Sequence, residues 1–161
     1  MTTRSAGLTI ASAAYDEATV LVAELDADLL ARYGDGAGSV VAHAEQFEPA
    51  RGGAFVVARL DGADVGCAGL RALGTVHGHD GVAELKRMWV RPAGRRQGLA
   101  RALLAAVEDA ARGLCHRELW LETGTQQPEA LALYTGAGYT PVPRFGQYAG
   151  AADARHLGRQ L

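Results

Sequence analysis

The chain has 161 residues, of which 48% are hydrophobic and 21% are charged, a composition ordinary for a globular protein with a buried core. Its net charge of −2 at pH 7 does not favour nucleic-acid binding, and no apolar run approaches the length of a membrane span. Cys67 and Cys115 lack metal or redox spacing, and the first residues lack a signal-peptide pattern. We therefore expect a single cytoplasmic domain over residues 1–161 that uses no metal, nucleic acid or membrane.

Apolar side chains alternate with polar ones in the predicted strands and recur every three or four positions in the predicted helices. Turn residues separate these segments: Gly34 is expected to end the first helix, Asp61-Gly62 to form the turn of the hairpin and Pro128 to open the last helix. In chain order the pattern predicts a strand at 8–11, a helix at 16–33, a short helix near 44, a hairpin of strands at 54–60 and 64–70, a polar turn at 74–81, a strand at 82–90, a helix at 96–112, a strand at 118–123, a helix at 128–135 and closing strands at 139–145 and 154–161. Because the middle strands are connected by hairpins, this order predicts a mixed α/β (α+β) sheet and not a doubly wound one.

The most informative stretch joins the strand that ends at Val90 to the helix that follows. Small residues at Gly98 and Ala100 let a ligand reach backbone N–H groups at the helix start, where unpaired donors and the helix dipole favour an anion. Glu84 is the only carboxylate in this span, whose basic residues are Lys86, Arg87, Arg91, Arg95, Arg96 and Arg101. The pattern predicts a site for a phosphorylated ligand; a helix start with solvated arginines is an equally open interpretation.

Other ligand motifs fit this sequence less well. A P-loop requires Gly-Lys-Ser/Thr, which is absent, and the dinucleotide fingerprint requires a third glycine, where Leu103 stands. His77, His79 and Asp80 resemble a fragment of a metal site, but no further ligand cluster accompanies them. A polar turn is therefore the better interpretation of that segment.

Three segments resemble the GNAT superfamily of N-acetyltransferases. Residues 95–100, Arg-Arg-Gln-Gly-Leu-Ala, fit its acetyl-CoA motif Gln/Arg-x-x-Gly-x-Gly/Ala. Residues 84–90 are similar to its fourth strand, and residues 128–139 to its Asn-x-x-Ala-x-x-Leu-Tyr-x-x-x-Gly-Phe segment. The resemblance covers nearly the whole chain and is strongest to bacterial members with Glu-Leu-Lys-Arg-Met and a late Phe-Gly-x-Tyr, here residues 145–148. It implies a mixed, mostly antiparallel sheet of six to seven strands flanked by about four helices.

The resemblance also implies that acetyl-CoA binds along this strand and at the helix start. Met88 and Val90 would pair their backbone with the pantetheine amides, and an N–H near Val90 would stabilise the oxyanion. The implied cofactor residues are Met88, Trp89, Val90, Arg95, Arg96, Gln97, Gly98, Leu99, Ala100, Gln127, Ala130 and Tyr134. Three of them depart from the commonest pattern: Gln127 stands where Asn is common, Arg96 where Gly is frequent, and Ala100 in place of a second Gly.

The implied reaction is direct transfer of an acetyl group to a primary amine, without a covalent enzyme intermediate. Tyr134 would lie over the thioester sulfur and protonate the departing thiolate; an aromatic residue that closes the core is the alternative interpretation. Glu84 lies fourteen positions before Gly98, as in histone-acetylating members, and would accept the amine proton. An ion pair between Glu84 and a neighbouring Lys or Arg is an equally open interpretation. Strand alternation places Glu84 on the same face as Lys86, Met88 and Val90.

The acceptor is either a small-molecule amine or a peptide or protein amine, and no motif identifies it. Residues 15–52 and 139–150 would shape its pocket. Lys86 and Arg87 mildly favour an acceptor that bears a carboxylate. Weaker candidates for acceptor contacts are Glu122, Thr123, Phe145 and Tyr148.

A different function is open on the same fold, namely a non-catalytic acyl-CoA-binding sensor or regulatory module. Tyr134 and Glu84 favour the enzyme, because a sensor needs neither side chain. A nucleotide-binding protein is a third interpretation of the basic helix start. Dimers are common among similar proteins, and a homodimer is therefore one expected assembly.

Overall fold

One mixed β-sheet organises the protein. The computed structural model describes the backbone of residues 3–5 and all of residues 7–34 and 43–161. The strands in these ranges are β1 (Thr3–Ser5), β2 (Leu8–Ser12), β3 (Ala54–Leu60), β4 (Ala63–Val76), β5 (His79–Val90), β6 (Glu118–Gly124), β7 (Thr140–Pro141) and β8 (Ala154–Gln160). They lie in the order β1-β2-β3-β4-β5-β6-β8-β7, and only the β5–β6 pair is parallel. The predicted mixed, mostly antiparallel sheet is confirmed, with two very short edge strands, β1 and β7, extending it to eight.

The α-helices within the described ranges are α1 (Thr19–Tyr33), α2 (Leu99–Gly113) and α3 (Pro128–Gly136). The short helix predicted near residue 44 is a 3₁₀ turn, Ala44–Phe47, and another 3₁₀ turn, Tyr15–Ala18, precedes α1. Residues 35–42, part of the range expected to shape an acceptor pocket, lie outside the described residues. No helix that the structure describes is long and apolar enough to cross a membrane.

Helix α2 begins three residues later than predicted. Arg96 and Gly98 have φ angles of 62° and 76°, in the left-handed region, which an α-helix cannot include. The helix therefore starts at Leu99, and the basic residues before it form a turn. Gly34, with φ of 66°, ends α1 as the sequence predicted.

The two faces of the sheet carry separate hydrophobic cores. On one face α2 packs through Leu103 and Val107 against a cluster that includes Leu85, Leu121 and Tyr134. On the other face α1 buries an apolar stripe against β3, β4 and β5; this cluster contains Leu21, Val22, Leu25, Phe47, Phe55, Val57, Cys67 and Trp89. Side chains of the central strands beside these helices therefore point towards either α1 or α2, whereas Val82, Trp120 and Phe145 form a third, smaller cluster.

Two predicted boundaries are wrong. The polar turn at 74–81 is in fact mostly strand, because β4 continues to Val76 and β5 begins at His79; only His77 and Gly78, both with positive φ, form the turn. The strand predicted at 139–145 is reduced to Thr140–Pro141. Prolines at 141 and 143 lack the N–H groups that a longer ladder would need.

A buried polar network fixes the end of α3, the helix that carries Tyr134. The hydroxyl of Tyr139 donates to Oε1 of Glu108 at 2.9 Å, and Nη1 of Arg159 lies 3.3 Å from the same oxygen. Arg159 also donates to the carbonyl of Ala137 at 2.9 Å. Since Glu108 belongs to α2 and Arg159 to β8, the network holds α3 against both elements.

Candidate functional site

The parallel strands β5 and β6 pair over only three residues, and the site lies where they separate. Residues 82–84 pair with residues 118–120, and no pairing follows further along. A cavity of about 610 Å³ opens between the strands, and its walls come from α1, β5, β6, α3 and the segment before β8. The edge of β5 beyond Glu84 is thus not covered by any strand that the structure describes.

A β-bulge interrupts β5 beside this cavity. Two residues of β5, Arg87 and Met88, oppose the single residue Ala68 of β4, and Arg87 has a φ of 56°. An extra residue reverses the alternation of side chains in the rest of the strand. The bulge therefore changes which residues of β5 face each core.

The expectation that Glu84 shares a face with Met88 and Val90 is wrong for this reason. Leu85 lies in the α2-side core, and Met88 and Val90 pack against that same core after the bulge. Glu84, next to Leu85 in a regular part of the strand, faces the opposite side. The side that holds Glu84 is the side of α1.

Glu84 is held by two cations beneath the cavity. Its side chain is only 4% exposed; Nε of Arg71 donates to its Oε2 at 2.7 Å, and Nζ of Lys86 lies 3.3 Å from its Oε1. Lys86 lines the cavity, whereas Glu84 is not among the lining residues. The geometry therefore matches the ion-pair interpretation of Glu84.

A different carboxylate, Glu122 of β6, lines the cavity. Burial raises the pKa of its carboxyl to about 7; the charge of Lys86 lowers this pKa, and the charges of Glu84 and Asp153 raise it. A carboxyl that titrates near neutral pH can exchange protons with an amine. From the sequence, Glu122 is only a weak candidate for a contact with the acceptor. Its burial depends on segments distant in the chain and therefore has no local signal.

Tyr134 lies in the same cavity, on α3. It is 7% exposed, and its hydroxyl donates to Sδ of Met88 at 3.5 Å. Burial raises the pKa of the phenol, and the charge of Glu122 raises it further, which keeps the hydroxyl protonated. The structure thus brings together a protonated phenol, Met88 of the bulge and a titrating carboxyl.

The start of α2 presents backbone donors and three exposed arginines, Arg95, Arg96 and Arg101. Gly98 is the N-cap residue, and no side chain caps the helix there, so the first N–H groups of α2 point outward without intrahelical acceptors. Arg95 donates to the carbonyl of Val90 at 3.0 Å and stacks on Trp89, with 4.9 Å to the ring centroid. Arg96 is exposed, and Gln97 donates to the carbonyl of Ala93 at 3.0 Å.

Other predicted cofactor residues have side chains engaged within the protein. Trp89 packs in the α1-side core, and the side chain of Leu99 is buried, so each has only its backbone to offer a ligand. Gln127, the residue before α3, lines the cavity and donates to the hydroxyl of Tyr33 at 3.3 Å. Ala130 packs against the α2-side core.

Two cations of the basic stretch connect β5 to α1. Nε and Nη2 of Arg91 each lie 2.9 Å from a carboxylate oxygen of Glu24, and Arg87 pairs with Asp26. These pairs account for two of the basic residues that suggested a phosphate site. Arg87 and Arg91 of the basic cluster therefore hold this part of the chain against α1.

The histidines of the 77–80 segment have structural partners. Nε2 of His77 lies 2.8 Å from the carbonyl of Arg144, and Nδ1 of His79 lies 2.8 Å from Glu118. Among the residues that the structure describes, no group of three or more His, Cys, Asp or Glu side chains could hold a metal ion.

Solved structures with the same fold include one that was solved with acetyl-CoA. A candidate acyl-CoA N-acyltransferase of Klebsiella pneumoniae superposes with a TM-score of 0.75 at 29% identity, covering 98% of this chain and 99% of that one. The protein yncA of Salmonella typhimurium, solved with acetyl-CoA as its cofactor, superposes with a TM-score of 0.72 at 21% identity, covering 96% and 94%. The splayed sheet is thus an acyl-CoA N-acyltransferase fold.

The model of the acetyltransferase (GNAT) family matches residues 14–139, well over half of the chain, and the chain belongs to this family. Among curated relatives, the IAA acetyltransferase of Azospirillum brasilense is 38% identical over 94 residues, or 58% of this chain. N-acetyltransferase 8 of Homo sapiens is 35% identical over 89 residues, or 55% of this chain. These matches span 59% and 39% of the two relatives' lengths.

Proposed function

We propose that the protein is an N-acetyltransferase that moves the acetyl group of acetyl-CoA directly to a primary amine. One observation carries this proposal: Tyr134 and Glu122, a protonated phenol and a carboxyl with a pKa of about 7, line one cavity at the uncovered edge of β5. Direct transfer needs an acid for the thiolate and a base for the amine. The cavity offers both groups, and the residues that the structure describes in its lining include neither cysteine nor serine.

The binding of acetyl-CoA follows from the same geometry. The pyrophosphate would accept hydrogen bonds from the backbone N–H groups of residues 98–101, with Arg96 and Arg95 adding positive charge. The pantetheine arm would lie along the uncovered edge of β5, pairing its amides with the backbone of residues 88–90. This course leads from the start of α2 to Tyr134.

The chemistry then needs one proton accepted and one donated. Glu122, when ionised, takes a proton from the ammonium of the acceptor, and the neutral amine attacks the thioester carbonyl. A backbone N–H near Val90 stabilises the negative oxygen of the tetrahedral intermediate. When the C–S bond breaks, the hydroxyl of Tyr134 protonates the leaving thiolate, and the amine nitrogen releases its surplus proton to the phenolate through solvent. Glu122 then releases the proton of the ammonium to solvent and is ionised again.

In this assignment Glu84 has a supporting role. Its carboxylate binds Arg71 and Lys86 and is nearly inaccessible, so an amine in the cavity would meet Glu122 first. We therefore assign the role of general base to Glu122 on the neighbouring strand and not to Glu84, for which the sequence predicted it.

The test is thiol release from acetyl-CoA over a panel of primary amines, combined with a calorimetric measurement of CoA binding. We expect acetyl-CoA to bind and at least one amine to be acetylated. Tight CoA binding without turnover of any amine would favour the acyl-CoA sensor instead. Stronger thermal protection by ATP than by CoA would favour a nucleotide-binding protein.

The turn before α2 yields a separable prediction for cofactor binding. Arg96→Gly removes one cation from the expected pyrophosphate site and also relieves a left-handed residue, since glycine adopts a φ of 62° without strain. We expect the Kd for acetyl-CoA to rise by about three- to tenfold at low salt, with less effect at high salt. Unfolding in urea should show stability unchanged or increased by about 0.5–1 kcal/mol.

Arg96→Ala is the matched control, because alanine removes the same charge and keeps the strained φ. It should weaken acetyl-CoA binding to the same extent without the gain in stability. Unchanged affinity in both variants would remove Arg96 from the cofactor site.

A further inference from the structure

Lys86 is the only lysine of the sequence, in which the other 15 of the 16 basic residues are arginines. It lines the cavity from β5, and its side chain is 20% exposed. A lysine ammonium is a compact charge with three N–H donors on a flexible stem. Its position beside the expected reaction centre raises the question of what it binds.

The charges around Lys86 are unequal in number. Glu84 is the single carboxylate within ion-pair distance of both Arg71 and Lys86 in the described part of the chain, at 2.7 Å and 3.3 Å. Arg71 also donates to the neutral side-chain amide of Gln46, whose Oε1 lies 3.5 Å from its Nη1. Two cations thus share one anion, and the group carries an excess positive charge.

That excess charge faces the cavity through Lys86. Charges removed from water are costly unless they are paired, so a partly buried, under-neutralised ammonium favours an anionic ligand. The other cation of the lining, Arg87, is already paired with Asp26. Two further carboxyl groups of the lining could offset this charge. Glu122, with a pKa of about 7, is only partly ionised at neutral pH, and Asp153 is exposed, where water screens it.

The remaining walls define the rest of the ligand. Leu25 and Leu29 of α1 and Phe47 of the neighbouring 3₁₀ turn give the cavity an apolar side. Glu122 of β6 and Lys86 of β5 both line the cavity, and the charge of Lys86 lowers the pKa of the Glu122 carboxyl. One cavity therefore combines a cation, a proton acceptor and an apolar wall.

We infer that the acceptor is an amine that also carries a carboxylate, such as an amino acid with an apolar side chain, and that Lys86 binds this carboxylate. The inference rests on the proposed acetyl transfer and names the substrate class of that same site. Glu84 and Arg71 hold Lys86 in place as positioning residues. Lys86 then determines specificity and takes no part in the chemical step.

The test compares L-leucine, L-leucinamide and 3-methylbutylamine, which share an apolar side chain but differ at the carboxylate. Initial rates of thiol release give kcat/KM for each in the wild type and in Lys86→Met. Because the three amines differ in basicity, the deciding quantity is the change in their ratio between the two proteins. We expect Lys86→Met to lower kcat/KM for leucine about tenfold more than kcat/KM for 3-methylbutylamine, mainly through KM. The loss of the Lys86 charge also raises the pKa of Glu122, but that effect is common to the three amines and cancels in the ratio.

Two control variants sharpen this comparison. Lys86→Arg keeps the charge and should retain most of the preference for leucine. Arg59→Met removes a cation that pairs with Asp64 in the β3–β4 hairpin, outside the cavity lining, and should leave the ratio unchanged. An unchanged ratio in Lys86→Met, or a wild-type preference for amines without a carboxylate, would overturn the inference.

A binding measurement separates this inference from the proposed function. N-acetyl-L-leucine and N-(3-methylbutyl)acetamide, titrated calorimetrically into the CoA-loaded protein, test the carboxylate site without turnover. We expect the acid to bind more tightly in the wild type and the difference to vanish in Lys86→Met. If no amine is acetylated, the proposed function fails; if the two ligands bind equally well, the inference about Lys86 fails.

Discussion

Replacing Tyr134 by phenylalanine should lower kcat for acetyl transfer by about 10²-fold while acetyl-CoA binding stays within about twofold of the wild type. The phenol is the protonated donor that lies beside Met88 in the cavity, and phenylalanine keeps the buried ring. The hydrogen bond that is lost goes to a thioether sulfur, a weak acceptor, so the free energy of unfolding should change by less than about 1 kcal/mol. Steady-state thiol release and calorimetric titration with acetyl-CoA measure the two quantities.

Tyr139→Phe is the matched control for this variant. Tyr139 is also a buried tyrosine of the α3 region, but its hydroxyl donates to Glu108 and does not reach the cavity lining. Its loss should reduce stability by about 1–2 kcal/mol and leave kcat within about twofold. Full activity of Tyr134→Phe would exclude the phenol as the acid and leave Tyr134 a core residue.

The sequence predicted the elements that depend on local signals. Three predictions of this kind agree with the structure: the turn at Asp61-Gly62, the glycine that ends α1 and Pro128 at the start of α3. Each of these signals acts over a few residues, through a φ angle or a missing N–H. The resemblance to the family similarly placed the basic turn before α2.

The site depended on features without a local signal. The sequence around the bulge at Arg87 contains no glycine or proline that would predict it, yet the bulge places Met88 on the opposite face from Glu84. The burial of Glu122 follows from pairing with β8, whose residue His156 lies opposite it. The ion pair between Arg91 and Glu24 joins residues far apart in the chain. Period-two alternation alone therefore could not identify the carboxylate that lines the cavity.

Replacing Glu122 by glutamine should lower kcat/KM for the acceptor at pH 8 by about 10²-fold and abolish an inflection in its pH profile. Below pH 7 the carboxyl is protonated and cannot accept the amine proton; above pH 7 it is ionised, because burial has raised its pKa to about 7. The wild-type kcat/KM should therefore rise as the pH passes 7. A second rise should follow at higher pH, where the acceptor ammonium loses its proton in solution. The glutamine variant should show only the second rise.

The same raised pKa gives Glu122 a measurable effect on stability. The carboxyl loses its proton near pH 4.5 in the unfolded chain and near pH 7 in the folded protein. Between these values the unfolded state binds fewer protons, so the free energy of unfolding falls as the pH rises through this window. Glu122→Gln removes this loss and should be more stable than the wild type by about 1–3 kcal/mol at pH 8, with no gain at pH 4. Urea denaturation at the two pH values measures the difference.

Glu84→Gln provides the decisive comparison, because Glu84 is buried and Glu122 partly buried on adjacent strands. Glu84 pairs with Arg71 and Lys86, so its replacement should cost about 1–3 kcal/mol of stability. The inflection should persist but move below pH 7, because the charge of Glu84 no longer raises the pKa of Glu122. If the inflection disappears in Glu84→Gln and persists in Glu122→Gln, the base is Glu84 acting through an intervening group. A base with access to the acceptor must be able to exchange its proton inside the cavity, and of these two carboxyls it is Glu122 that lines it.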